Sequence, residues 1–80
     1  MRKTRRLSGK EVVKICKEFN FNILRQRGSH IRLIREIFGN KQIVTIPNHK
    51  EIDRGTLRSI FKQLSRFIPE SELFDKFYTN

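Results

Sequence analysis

The stretch Arg25-Gln26-Arg27-Gly28-Ser29-His30-Ile31-Arg32-Leu33 concentrates the reactive chemistry of the chain. His30 is one of two histidines, and three arginines, Arg25, Arg27 and Arg32, lie within five residues of it. A histidine suits proton transfer because its pKa lies near neutrality. An arginine offers a planar fork of donors to phosphate oxygens. Those are the needs of RNA cleavage without a metal. RNA carries its own nucleophile, the 2′-OH; a protein must take that proton, protonate the 5′-oxygen leaving group and neutralise charge on the phosphate. Gly28 permits a tight turn or a close backbone approach, and Ser29 adds a hydroxyl. Taken alone, a loop histidine beside arginines is also a common kind of surface residue.

The other histidine, His49, follows Pro47 and precedes Lys50. Base and leaving-group acid stand on opposite sides of the phosphorus, so one histidine does not easily serve as both. His49, with Lys50, is the candidate second group; the plainer alternative is a loop residue leading into a helix.

Competing chemistries lack their residues. There is no zinc spacing, no glycine-rich phosphate loop and no HExxH. Glu51 and Asp53 fall at a helix start, where capping accounts for them. Neither a metal nor any other cofactor is expected. Cys16 lies on an apolar helical face and reads as a small core residue.

Charge points to the partner. There are 18 Lys+Arg against 8 Asp+Glu, a formal net of +10. A compact chain so basic repels itself unless a polyanion relieves it. Nucleic acid is the first candidate; an anionic membrane surface, the second, needs a long amphipathic basic helix, and the helices here read as short and core-facing. No apolar run approaches the ~20 residues of a membrane span. The basic N-terminus has no apolar segment behind it, and a lone cysteine excludes a disulfide framework. The reading is a cytoplasmic protein. At 80 residues it forms one small domain.

The elements that must position these residues are legible in part. Residues 1–7 read as a basic, solvated N-terminal arm. Ser8-Gly9-Lys10-Glu11 is a capping box. Val12, Ile15, Cys16 and Phe19 then repeat at helical spacing, giving a helix over Gly9–Phe19 that Asn20 ends. Strands are expected over Phe21–Arg27, Ile31–Phe38 and Gln42–Ile46, with turns at Gly28 and at Gly39-Asn40 and a stop at Pro47. Arg35 is an exception on the apolar face of the middle strand. Asp53 caps a second helix over Arg54–Leu64, with Leu57, Ile60, Phe61 and Leu64 on one face. Arg54, Arg58, Lys62 and Arg66 form a basic stripe. Pro69–Phe77 reads as a short third helix.

This α-β-β-β-α order implies an α+β fold: a three-stranded antiparallel sheet with two helices on one face and a short C-terminal helix. That arrangement resembles the double-stranded-RNA-binding domain. Two stretches, SGKEVVKICKEFNFNILRQRGSH and VTIPNHKEIDRGTLRSIFKQ, resemble the HicA toxins of bacterial toxin–antitoxin pairs. The resemblance rests on Ser8-Gly9-Lys10-Glu11, Gly28-Ser29-His30, Pro47-x-His49 and Gly55-Thr56-Leu57-Arg58-Ser59-Ile60, in this order and spacing. It covers about Leu7 to Leu64. Asn20 stands where glycine is common, and the segment after Gln63 departs from the family's ending.

The resemblance implies metal-free endoribonuclease cleavage of mRNA, with His30 in the place of the histidine that carries activity. It also implies neutralisation by a HicB-type antitoxin. The chain then divides into the arm (1–7), a HicA-like RNA-binding and nuclease domain (8–66) and a C-terminal helical extension (67–80). Lys10, Lys14, Arg25, Arg27, Gly28, Ser29, Arg32, Lys50, Arg54 and Arg58 are the candidate contacts to RNA, most naturally single-stranded. The competing class, a non-catalytic RNA-binding module, would share fold and charge but would not need His30.

Overall fold

The structure, a computed structural model, describes residues 3–79; Met1 and Arg2 of the basic arm and Asn80 of the C-terminal segment lie outside the described residues. The elements in chain order are β1 (Lys3–Thr4), α1 (Gly9–Glu18), β2 (Asn22–Arg27), β3 (His30–Ile37), β4 (Asn40–Pro47), α2 (Arg54–Leu64), α3 (Glu70–Phe77) and β5 (Tyr78–Thr79). Strands β2, β3 and β4 form an antiparallel meander in that order. This is the α+β, double-stranded-RNA-binding-domain-like arrangement that the sequence implies.

Local chemistry fixes the helix starts. The Glu11 N–H donates to Ser8 Oγ at 3.1 Å, and the Ser8 N–H donates to Glu11 Oε1 at 2.9 Å, closing the capping box. A cap of this kind stabilises a helix by about 1 kcal/mol. At α2 the Thr56 N–H donates to Asp53 Oδ2 at 3.0 Å and its hydroxyl to Oδ1 at 2.7 Å. Helix α1 stops one residue earlier than expected. Phe19 is its C-cap, and Asn20 takes the left-handed conformation at φ 72°. Helix α2 has the expected bounds.

The strands differ from expectation at their ends, because pairing outruns the alternation pattern. Strand β4 runs from Asn40 to Pro47, and Pro47, at its last position, still faces His30. The second turn lies at Phe38-Gly39 rather than Gly39-Asn40, with φ 51° and 80°. Positive φ at both central residues is the geometry of a two-residue hairpin that follows the strand twist. Phe38 is thereby left 99% exposed. The adjacent Ile23 and Leu24 broke the alternation of β2 because a register shift, a bulge, falls between Ile23 and Arg25.

Alternation along β3 and β4 sends Ile31, Leu33, Val44 and Ile46 into the core. Val12, Ile15 and Cys16 of α1 and Leu57, Ile60 and Leu64 of α2 meet them there. The other face of the sheet is left open.

Over residues 3–7 the N-terminal segment is packed and paired and is not a solvated arm. Lys3 pairs with Thr79 and Thr4 with Tyr78 in an antiparallel ribbon. The Arg5 N–H donates to the Phe77 carbonyl at 2.8 Å, and its guanidinium to the Lys76 carbonyl at 3.0 Å. Leu7 is buried, and its carbonyl accepts from the Ile52 N–H at 2.8 Å. The C-terminal segment packs on the same core through Ile68, Leu73 and Phe77. Phe61 of α2 meets Phe74, Phe77 and Tyr78 edge to face at 5.2–6.3 Å. Among the described residues no helix is long and apolar enough to cross a membrane.

Candidate functional site

The β2–β3 hairpin closes at the pair Arg27–His30, with Gly28 and Ser29 as its two-residue turn. Gly28 sits at φ 58°, a conformation that L side chains resist. Its role is therefore the turn itself, and a Cβ added there would meet nothing. The turn is braced by Gln26, whose side-chain amide donates to the Gly28 carbonyl at 3.3 Å.

Register then sets two rows of side chains across the sheet. Arg25 faces Arg32, which faces Thr45; Arg27 faces His30, which faces Pro47. Since Ile31, Leu33, Val44 and Ile46 point into the core, both rows lie on the open face. Arg25, Arg27, His30, Arg32 and Thr45 line one open depression of about 240 Å³. Like charges directly opposite on adjacent strands destabilise a sheet. The Arg25–Arg32 pair bears that cost without an acidic partner: the ion pair seen among the described residues is Lys76–Glu18, at 3.2 Å. His30 is exposed, and no hydrogen bond engages its ring among the described residues. The depression thus holds a proton-transfer group with free nitrogens among three arginine forks. Such a set of groups suits a phosphodiester ligand, with the imidazole as a candidate for proton transfer.

His49 lies elsewhere. With Ser8, Lys10, Asn48 and Lys50 it lines a second depression, of about 340 Å³, where the start of α1 meets the segment after β4. The two histidines do not share a hollow, but their backbones are tied. The Asn48 N–H donates to the Ser29 carbonyl at 2.6 Å, and the Gly9 N–H to the His49 carbonyl at 2.8 Å. Gly9 is required by this approach: a Cβ there would overlap the Pro47 carbonyl oxygen and come within 2.8 Å of Asn48 Cα.

The remaining candidates separate. Lys14 is exposed on α1 and lines neither depression. Arg54 and Arg58 lie on α2 beside the N-terminal strand, in a third hollow. Gly28 and Ser29 shape the turn without lining the His30 depression. Thr45 escaped the sequence reading; only the register, which brings it opposite Arg32, could have found it. Asn48 escaped it too, because it acts through its backbone N–H.

Cys16 is buried, and burial pushes its thiol up to about 12, so it stays a neutral core residue. Glu51 is exposed and Asp53 is occupied by its cap. Among the described residues no group of three or more His, Cys, Asp or Glu side chains gathers as metal ligands do.

Comparison with protein families finds a match to the HicA toxin of bacterial toxin–antitoxin systems over residues 9–65. Neither the comparison with curated proteins nor that with solved structures finds a match. The family match takes in α1, the three-stranded sheet and α2, and with them the lining of the His30 depression and all of the His49 depression but Ser8. On that match, the chain belongs to the HicA toxin family of bacterial toxin–antitoxin systems.

Proposed function

We propose that this toxin is an endoribonuclease that cleaves mRNA without a metal, with His30 as its general acid or base. The observation that carries the reading is the His30 depression, in which an uncommitted imidazole stands among Arg25, Arg27 and Arg32. In the reaction the 2′-oxygen attacks the adjacent phosphorus as its proton is removed. The bond from phosphorus to the 5′-oxygen breaks, and that oxygen takes up a proton. The products are a 2′,3′-cyclic phosphate and a free 5′-hydroxyl. His30 performs one of these proton transfers. The arginines neutralise the charge that builds on the phosphate oxygens, where fixed donors act most strongly. Lys10, His49 and Lys50, one hollow away, hold the neighbouring phosphate of a single strand, and Lys14 adds to the field on that side. The second proton passes through water, since a guanidinium stays protonated and serves as a charge donor only.

A HicB-type antitoxin completes the pair. A surface with a net charge of +10 favours an acidic partner and speeds its association. Bound over the open face of the sheet, such a partner would mask His30. Both partners and the mRNA meet in the cytoplasm.

The test is incubation of the purified protein with RNA in EDTA, wild type beside His30→Ala. Cleavage by the wild type, with cyclic-phosphate ends, and its loss by roughly 10²-fold or more in the folded variant is the expected result. Equal cleavage by both would remove His30 from the chemistry. Binding without cleavage by either would leave a non-catalytic RNA-binding module.

A further inference from the structure

We propose that the cleft between β1 and the first half of α2 is a second phosphate-binding site, which grips the RNA backbone away from His30. The proposal rests on the reading of RNA as the substrate. The cleft has a volume of about 560 Å³ and shares no lining residue with the His30 depression. Lys3, Arg5 and Arg6 stand on one wall and Arg54 and Arg58 on the other, with Glu51 and Asp53 as the carboxylates between them. None of the five cations has an ion-pair partner among the described residues. Asp53 keeps its negative charge, but both its oxygens are held by Thr56, and it makes no ion pair with these cations among the described residues.

Two arrangements there oppose folding unless an anion arrives. Arg54 is the first residue of α2, and a cation is disfavoured at the positive end of a helix dipole. Arg58 lies four residues on, so the two guanidinium groups repel along one face. The opposite wall is held in place: β1 is paired to β5, and Arg5 is fastened to the backbone of Lys76 and Phe77. The backbone that carries its cations is therefore in place before a ligand binds. Asp53 already takes the Thr56 amide of the first turn, so the donors offered here are the side chains, and arginine forks match phosphate oxygens. A protein partner would need an apolar anchor at the centre of its interface. Ile52 and Leu57, at the floor, are each only 2% exposed and committed to the core. A polyanionic backbone fits such a cleft better than a folded protein surface.

The test is fluorescence anisotropy of the full chain with labelled 2′-O-methyl RNA. This probe lacks the free 2′-hydroxyl and is not cleaved, so the readout holds whether or not the toxin proves to be a ribonuclease. Arg6→Gln/Arg58→Gln is compared with Lys17→Gln/Lys41→Gln, which removes equal charge from exposed positions outside the cleft. All four positions are exposed, and thermal melts confirm that both variants fold. The cleft variant should lose roughly tenfold or more in affinity at ~0.1 M salt, and its log–log salt slope should become shallower by about 1.4, two phosphate contacts. The control should stay within roughly threefold of wild type with nearly the wild-type slope. Equal losses in the two variants would reduce the effect to net charge and overturn the proposal. So would a cleft variant that keeps its RNA affinity and loses only its inhibition by antitoxin, which would assign the cleft to a protein.

Discussion

The backbone N–H of Asn48 donates to the Ser29 carbonyl over 2.6 Å, fastening the segment that carries His49 to the turn that carries His30. The tie joins backbones while the two imidazoles line different hollows. Shared position without a shared cavity suits two groups that hold successive phosphates of one strand better than a pair acting on one phosphorus. His49→Ala should therefore raise KM severalfold and change kcat by less than about threefold, leaving both limbs of the pH–rate profile in place. A fall in kcat of roughly 10²–10⁴, with one limb gone, would make His49 the second proton-transfer group instead.

Gly9 sits where helix α1 meets that same segment, its N–H donating to the His49 carbonyl at 2.8 Å. Both neighbours that a Cβ would strike, the Pro47 carbonyl and Asn48 Cα, are backbone and cannot swing aside. Gly9→Ala should destabilise the fold by about 1–3 kcal/mol, as overpacking does. In a domain this small that is a fall in Tm of roughly 5 °C or more, measurable by thermal denaturation. An unchanged Tm would mean that the segment yields at no cost, and that His49 is not held as described.

The sequence was most legible where one residue's local chemistry decides the outcome. Ser8 with Glu11, and Asp53 before an apolar face, mark helix starts that need no partner from elsewhere. The strands were blurred where pairing decides instead. The adjacent Ile23 and Leu24 looked like weak alternation, and the bulge that reconciles them exists only against β3. Pro47 was read as a stop, yet it can occupy the last position of an edge strand, where its missing N–H costs nothing. The pairing of Lys3 and Thr4 had no signal at all, since Lys3 meets Thr79 from the opposite end of the chain. At the site, the grouping of His30 with its arginines followed from nearness in sequence, whereas Thr45 required the register.

The two helix caps give the fold an acid limit. The Ser8 backbone N–H, and then its hydroxyl, hold the Glu11 carboxyl below the usual carboxylate range. The Thr56 hydroxyl, and then its backbone N–H, do the same for Asp53. A folded-state pKa below the unfolded one gives stability that is present above the ordinary value of about 4 and is lost as pH falls through the depressed one. Tm should hold down to about pH 5 and decline below it. Glu11→Gln/Asp53→Asn should start from a lower Tm at neutral pH and show a flatter acid limb. Melts between pH 7 and pH 2 check this, and parallel acid limbs would mean that other carboxylates set the decline.

Arg35, the charged exception on the apolar face of β3, ties three parts of the molecule together. Its Nε donates to Gln42 Oε1 at 2.7 Å, one terminal nitrogen to the Phe19 carbonyl at 3.0 Å and the other to the Phe67 carbonyl at 3.2 Å. The guanidinium also lies over the Phe21 ring, 5.1 Å from its centroid. It thereby joins the sheet to the end of α1 and to the α2–α3 connection, and satisfies carbonyls that those helix ends leave open. A lysine has the charge but neither the planar fork nor the stacking face. Arg35→Lys and Arg35→Met should each lower stability by roughly 2–3 kcal/mol, because the carbonyls lose charged donors in a half-buried place. Arg35 lines none of the three hollows, so RNA affinity measured well below the melting transition should stay at the wild-type level in both variants. If Arg35→Lys melts within about 0.5 kcal/mol of wild type, one ammonium suffices and the three-way fork is not what holds these segments.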